Sequence, residues 1–282
     1  MAKCVRCGKR GLFLQVDMNG HCPECAEKFR QERLEQQRRV EAAQIAASRV
    51  RYKSIPFYNI TLSDLPRKRQ RGFPDIKTSN ITPKGCYDRF VVFDTETTGL
   101  TPSKDRIVEL AAIRFCDGVP IEMFTTLIDP QCPIPPEASA VNQITNDMVE
   151  RAPLISQVLP SFEEFIGNDI LIAHNLEFDL KFLFYSGSTL LDTPRKYIDT
   201  LAQAQSLLRK PKRRYFPPED QYDDGHWDID WDCDYDVDNH KLETLCDYYG
   251  IVRPYEHQAA ADALVTGDLF MALVDEKQRR YE

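Results

Sequence analysis

The sequence predicts an α/β fold: a mixed sheet flanked by helices, preceded by a small cysteine-bearing module. Three observations lead there. After residue 86, short β-branched and aromatic runs alternate with longer stretches of helical periodicity. Two early runs are joined by Asp117-Gly118, a hairpin signal that makes the start of the sheet antiparallel. Two C-x-x-C pairs lie within the first 25 residues. A chain of 282 residues is long enough for one sizeable core and one appended module. The expected division is a module at 1–27, a charged helix and linker at 28–85, and a body at 86–282 that contains an insertion at about 209–239.

The front module has Cys4 and Cys7, then fourteen residues, then Cys22 and Cys25. Two C-x-x-C knuckles at this spacing resemble a zinc ribbon or treble-clef finger, in which four thiolates hold tetrahedral Zn²⁺. A unit of this size cannot bury enough core to fold alone, so the ion is expected to be structural. Residues 26–52 are rich in helix formers with sparse apolar positions, which predicts a charged, exposed helix. Residues 53–84 contain Pro56, Pro66, Pro74, Pro83 and the basic cluster Arg67-Lys68-Arg69-Gln70-Arg71, which reads as a linker. Charge is divided along the chain: residues 1–90 carry 19 Lys and Arg against 9 Asp and Glu, and residues 91–282 carry 17 against 35. A basic arm on an acidic body suits a polyanionic partner for the arm and metal chemistry in the body. The sequence has no run of 18 apolar residues and no apolar leader. No membrane association is therefore expected, and a cytoplasmic location with reduced cysteines is.

Within the body, strands are expected at 90–95, 106–116, 121–128 and 169–173, and helices at 156–166, 177–186, 199–208, 241–249 and 258–276. The run Phe90-Val91-Val92-Phe93 leads into Asp94-Thr95-Glu96-Thr97-Thr98-Gly99-Leu100. Strand side chains alternate faces, so Asp94 and Glu96 share one. Two like charges at the end of a buried strand repel unless a cation lies between them, and hard divalent cations take oxygen ligands. The strand Ile170–Ala173 ends in His174-Asn-Leu-Glu-Phe178-Asp179, and His257 precedes Asp262 by five residues. Five helical residues turn roughly 500°, so His257 is expected on the loop before the helix and Asp262 one turn inside it.

These motifs, D94-x-E96, H174-N-x-x-F-D179 and H257-x-x-x-x-D262 in this order, resemble those of the DEDDh 3′-5′ exonuclease superfamily, which includes the proofreading epsilon subunit of bacterial replicative polymerases. The similarity covers about residues 88–276 and takes in Ile198-Asp-Thr-Leu201 and His240-Lys-Leu-Glu-Thr-Leu-Cys246. It implies a ribonuclease H-like fold and a two-metal mechanism with Mg²⁺ or Mn²⁺ about 4 Å apart at the scissile phosphate. Asp94, Glu96, Asp179 and Asp262 would hold the ions, and His257 would be the general base. Thr97, Thr98, Gly99 and Leu100 would line the terminal nucleotide. Phe178 suits either a base contact or the core, and His174 reads equally as a hydrogen-bonded histidine at a strand end. The expected substrate is single-stranded DNA or a 3′ DNA end, with a polymerase or repair partner. An exoribonuclease is the alternative within enzymes, and a nucleic-acid-binding adaptor with a vestigial nuclease body is the alternative outside them.

The insertion opens with Arg209-Lys-Pro-Lys-Arg-Arg214, and the twenty residues 219–238 within it hold ten carboxylates and no Lys or Arg. From Asp228 to Asp238 every second residue is Asp, which predicts a surface strand with one acidic face.

Overall fold

A computed structural model of the chain describes residues 2–3, 10–11, 22–25, 27–28, 31, 72–82, 87–216, 226–230, 232–253 and 258–282. Cys4, Cys7, His257 and the basic cluster 67–71 lie outside the described residues, as does the expected charged helix except for helical positions 27, 28 and 31. At the front, β1 (Ala2–Lys3) pairs antiparallel with β2 (Arg10–Gly11). Cys22 is buried, and Cys25, in the helical stretch 23–25, is half-buried.

The body is built on a mixed sheet. Its strands are β3 (Arg89–Thr97), β4 (Ile107–Cys116), β5 (Val119–Leu127), β6 (Ile170–Ala173) and β7 (Tyr197–Asp199), in the spatial order β5-β4-β3-β6-β7. The first three form an antiparallel meander, and β6 and β7 add in parallel on the other side of β3. The strand in the middle is thus the one that carries Asp94 and Glu96. Helices α1 (Pro136–Asn142), α2 (Asn146–Val149), α3 (Ile155–Ile166), α4 (Leu176–Tyr185), α5 (Thr200–Leu207), α6 (Leu242–Tyr249) and α7 (Ala259–Tyr281) cover its faces. Short α1, α2 and β7 were not foreseen, because each is too brief to show a period.

Alternation along β3 sorts its side chains into two cores. Phe90 and Val92 join Ile113, Phe115, Ile172 and the α7 residues Leu269, Phe270 and Leu273. Val91 and Phe93 join Leu110, Leu171, Val158 and Phe162 of α3, and Leu176 and Leu180 of α4. Each fully buried Phe contributes roughly 1.5–3 kcal/mol relative to exposure. Continuing the alternation past Phe93, Asp94 and Glu96 take the α7 face and Thr95 the α4 face.

Residues 72–82, expected as linker, instead pack on the body. The Ser79 N–H donates to the Tyr197 carbonyl (2.7 Å), Ile81 is buried and its N–H donates to Gln203 Oε1, and Phe73 meets Phe184 edge to face at 5.5 Å. Apolar Phe73, Ile76 and Ile81 outweighed the proline and turn signals around them.

The insertion also differs from its pattern. β8 (Lys212–Phe216) and β9 (His226–Asp230) form a separate antiparallel hairpin, and the strand stops at Asp230. Beyond it the chain folds back onto Arg209, whose Nη1 donates to Asp234 (2.8 Å) and whose backbone N–H donates to Asp236 Oδ2 (2.8 Å). Val237 then enters the core. The period-two spacing therefore divides between a short strand and an anchored return.

Candidate active site

At the end of β3 the register shifts between Glu96 and Thr97, an irregularity that frees the following loop from the ladder. Gly99 sits where a Cβ would fall 2.5 Å from the Asp105 carboxylate, which accepts from the Thr101 N–H (2.7 Å) and closes the loop. On the opposite side, α7 begins at Ala259 and has Asp262 in its first turn, as expected. The helix lies close to the sheet at Gly267, where a Cβ would fall 2.2 Å from the Phe115 ring. That close approach brings Asp262 to the strand end. Asp94, Glu96 and Asp262 each offer a carboxylate oxygen within 4.8 Å of the others.

Asp179 reaches the same strand end from α4. It is buried, and its Oδ1 accepts from Thr95 N–H (3.1 Å) and Thr95 Oγ1 (2.6 Å). The turn that starts α4 depends on Asn175 in the left-handed region (φ 68°), a conformation Asn tolerates. Asp199 Oδ1 holds it by accepting from the Asn175 and Leu201 N–H groups (3.0 and 2.9 Å). The Ile198–Leu201 piece read from the sequence is thus the brace of the α4 turn and the cap of α5.

Burial and mutual repulsion dominate the electrostatics. Asp94 is held well above the usual carboxylate range by burial, then by the charges of Asp179, Glu96, Asp262 and Glu109. Burial, with Asp262 and Glu109, pushes Glu96 up to about 8, against a hydrogen bond from Asn142. Burial lifts Asp179 to about 7 despite its bonds to Thr95. Such a group of oxygens suits a hard divalent cation, because the cation removes the repulsion that holds the pKa values up. Asp94, Glu96 and Asp262 would hold the ion, with Asp179 alongside.

Two residues of the site were missed in the sequence. Glu109 lies opposite Glu96 in the β3–β4 register, and its Oε2 accepts from the Ala259 N–H (3.1 Å). It ties the first residue of α7 to the sheet, satisfying a helix N-terminal donor. The available signal was a Glu inside the apolar run Ile107-Val-Glu-Leu-Ala111. Asn142, buried at the end of α1, donates to the Thr97 carbonyl (3.3 Å) and accepts from the Ile144 N–H (3.1 Å).

His174 is engaged at both ring nitrogens, Nε2 with the His240 carbonyl and Nδ1 with Thr200 Oγ1, each at 3.0 Å. A carbonyl only accepts, so Nε2 carries the proton. Burial lowers the pKa of the ring, and the Thr200 hydroxyl that meets Nδ1 also donates to the Ala173 carbonyl (3.2 Å). His174 thus ties β6 to the α5 and α6 ends. Of the positions expected to line a nucleotide, Leu100 is 83% exposed and Thr97 and Gly99 are half-buried. Thr98 is buried, and its Oγ1 accepts from the Arg106 N–H (3.0 Å), so it braces the loop. Phe178 packs on the α4-side core beside Phe182, ring centroids 5.0 Å apart.

A family model described as Exonuclease matches residues 91–270, a span that holds all the expected catalytic residues. The chain belongs to the exonuclease family. The epsilon subunit of DNA polymerase III from Treponema pallidum (strain Nichols) is 33% identical over 187 residues, covering 66% of this chain and 76% of that protein. The PolC-type DNA polymerase III of Thermotoga petrophila is 34% identical over 188 residues. That match takes 66% of this chain but spans only 12% of the polymerase, so the exonuclease domain corresponds to a small part of such relatives. A crystal structure of exonuclease I in complex with the inhibitor BCBP superposes with a TM-score of 0.51 at 22% identity, covering 70% of this chain and 43% of that one. The shared fold is the mixed sheet with its flanking helices, the ribonuclease H-like arrangement the sequence implied.

Proposed function

We propose that this protein is a metal-dependent 3′-5′ exonuclease that releases nucleotides from the 3′ end of DNA. The observation that carries the reading is the convergence of Asp94, Glu96 and Asp262 oxygens within 4.8 Å at the end of a buried strand. Bound there, two Mg²⁺ or Mn²⁺ ions would supply charge stabilisation to a phosphodiester and its leaving 3′ oxygen. The chain's own residues do the rest. Asp94, Glu96 and Asp262 fix the oxygen ligands, and Asp179 is held at the site by Thr95. His257 takes the proton from the attacking water as the P–O3′ bond breaks, which leaves a shortened 3′-hydroxyl strand and a 5′-nucleotide. Thr97, Gly99 and the exposed Leu100 offer a close-approach edge to the terminal nucleotide.

Cys4, Cys7, Cys22 and Cys25 would hold a structural Zn²⁺, in a cytoplasm that keeps thiols reduced. The module and basic arm would tether the nuclease to single-stranded DNA or to a polymerase or repair partner. That setting is supported by relatives that are polymerase III subunits or polymerases.

The test uses 3′-labelled and 5′-labelled single-stranded DNA and RNA of one sequence, with Mg²⁺, Mn²⁺ or EDTA, and an Asp94→Ala control. Metal-dependent shortening of DNA from the 3′ end, absent in the variant, is expected. Faster cleavage of RNA would replace the substrate with RNA, and no release under any condition would favour a binding protein with an inactive nuclease body.

A further inference from the structure

The β8–β9 hairpin sorts its side chains by register. Arg213 lies opposite Ile229 and Tyr215 opposite Trp227, so these four share one face; Lys212 opposite Asp230 and Arg214 opposite Asp228 share the other. On the second face the charges offset one another, with Arg214 Nη1 3.5 Å from Asp230. Among the described residues of the two strands, the first face has a cation and no carboxylate. It is also open: Trp227 is 62% exposed, Tyr215 42% and Ile229 38%. The Tyr215 and Trp227 rings lie 5.7 Å apart, and Arg213 Nη2 donates to the Trp227 carbonyl (3.2 Å), which keeps the guanidinium near the rings. A two-stranded hairpin cannot bury such a face by itself.

We propose that this face is an accessory binding site for single-stranded DNA, holding the strand 5′ of the nucleotide being released; the proposal rests on the exonuclease reading above. Bases stack on Tyr and Trp rings whatever the sequence, and a guanidinium beside the rings meets the backbone phosphate. Charge complementarity selects this occupant. Among the described residues of the two strands, the cation Arg213 stands on the aromatic face, while Asp228 and Asp230 are turned to the opposite side against Arg214 and Lys212.

The hairpin is rooted where Arg209 holds Asp236. A trinucleotide engages the carboxylates and the Thr97–Leu100 edge, whereas a twenty-nucleotide strand, at about 3.4 Å per stacked nucleotide, is long enough to engage the hairpin as well.

The experiment measures fluorescence anisotropy of dye-labelled oligo-dT on full-length protein carrying Asp94→Ala, which binds without cutting. Tyr215→Ala with Trp227→Ala is expected to weaken a twenty-nucleotide strand by about 5- to 150-fold, the range for losing one stacked base, and to leave a trinucleotide unchanged. Trp227→Phe keeps a ring and should keep most of the affinity. Unchanged affinity for the long strand overturns the proposal. So does equal weakening of long and short strands, which marks a folding defect, and so does a Phe variant as weak as the Ala variant. Unaltered DNA binding with altered self-association in the sedimentation velocity of the same variants would assign the face to a protein partner instead. Hairpin-dependent DNA binding by a wild-type protein that shortens no DNA with Mg²⁺ would refute the nuclease reading, and with it the place of the strand 5′ of a released nucleotide, while leaving the hairpin a DNA-binding face.

Discussion

The strand-end cluster and the root of the insertion contain the same residue types in opposite electrostatic settings. At the end of β3, half-buried carboxylates from β3 and α7 are crowded together, and burial with mutual repulsion pushes Glu96 up to about 8. At the insertion root, partial burial also raises Asp236, but hydrogen bonds from the Arg209 backbone and guanidinium outweigh it and hold the carboxyl below its ordinary range. One region stores repulsion that a cation relieves; the other already has its cation in Arg209. Carboxylate density is therefore a poor marker of chemistry. The insertion is the most acidic stretch of the chain, yet its anchored aspartates are satisfied.

The comparison can be broken first at its extremes. Asp94→Ala is expected to lower turnover of a single-stranded DNA by on the order of 10³-fold or more, several kcal/mol of transition-state stabilisation. Asp236→Ala should leave it within about twofold. Equal losses in a gel-based 3′-release assay would erase the distinction. A smaller effect is expected at Glu109, which acts through α7. Glu109→Ala strips the Ala259 N–H of its acceptor and should cost about tenfold in turnover, on the scale of one lost hydrogen bond to a charged group. Glu109→Gln, which still offers a carbonyl oxygen, should recover most of it, whereas equal loss in both would mean that the charge matters rather than the tether.

Stability against pH sharpens the contrast further. Glu96 binds its proton up to about pH 8 when folded and only to its ordinary 4.5 when unfolded. Between those values the folded state holds a proton the unfolded state has released, so stability falls as the pH rises through that window. In EDTA, the melting temperature should therefore drop from about pH 5 to about pH 8. Mg²⁺ or Glu96→Gln should flatten the drop, and an unchanged slope in both would contradict the raised pKa. The smallest effect belongs to Arg209→Ala. Its ion pairs are exposed, so a slight fall in melting temperature that shrinks in high salt is expected, with no change in turnover.

Much of this was legible in residue order. The strands around Asp94 and the helix that carries Asp262 have strong periods, and their ends fall within a few residues of expectation. Period two put Asp94 and Glu96 on one face, and the resemblance to the exonuclease motifs joined Asp262 to them. Glu109 was not placed with them, because its role depends on which residue of β4 lies opposite Glu96, and register is not written in either strand alone. The bond from the Arg106 N–H to the Thr98 hydroxyl was hidden for the same reason, since a loop threonine gives no sign of a partner eight residues on. The strap at 72–82 was hidden by prolines and charges, since three spaced apolar residues carry no period until a sheet edge receives them.

The central claim is that the buried carboxylates form a divalent cation site. Mn²⁺ titration of the purified protein, followed by electron paramagnetic resonance, tests it most directly against an Asp94→Asn, Glu96→Gln variant. The account predicts that the wild type takes Mn²⁺ out of solution and that the double variant, with its repulsion removed, does not. Equal uptake by both, or none by the wild type, would contradict it.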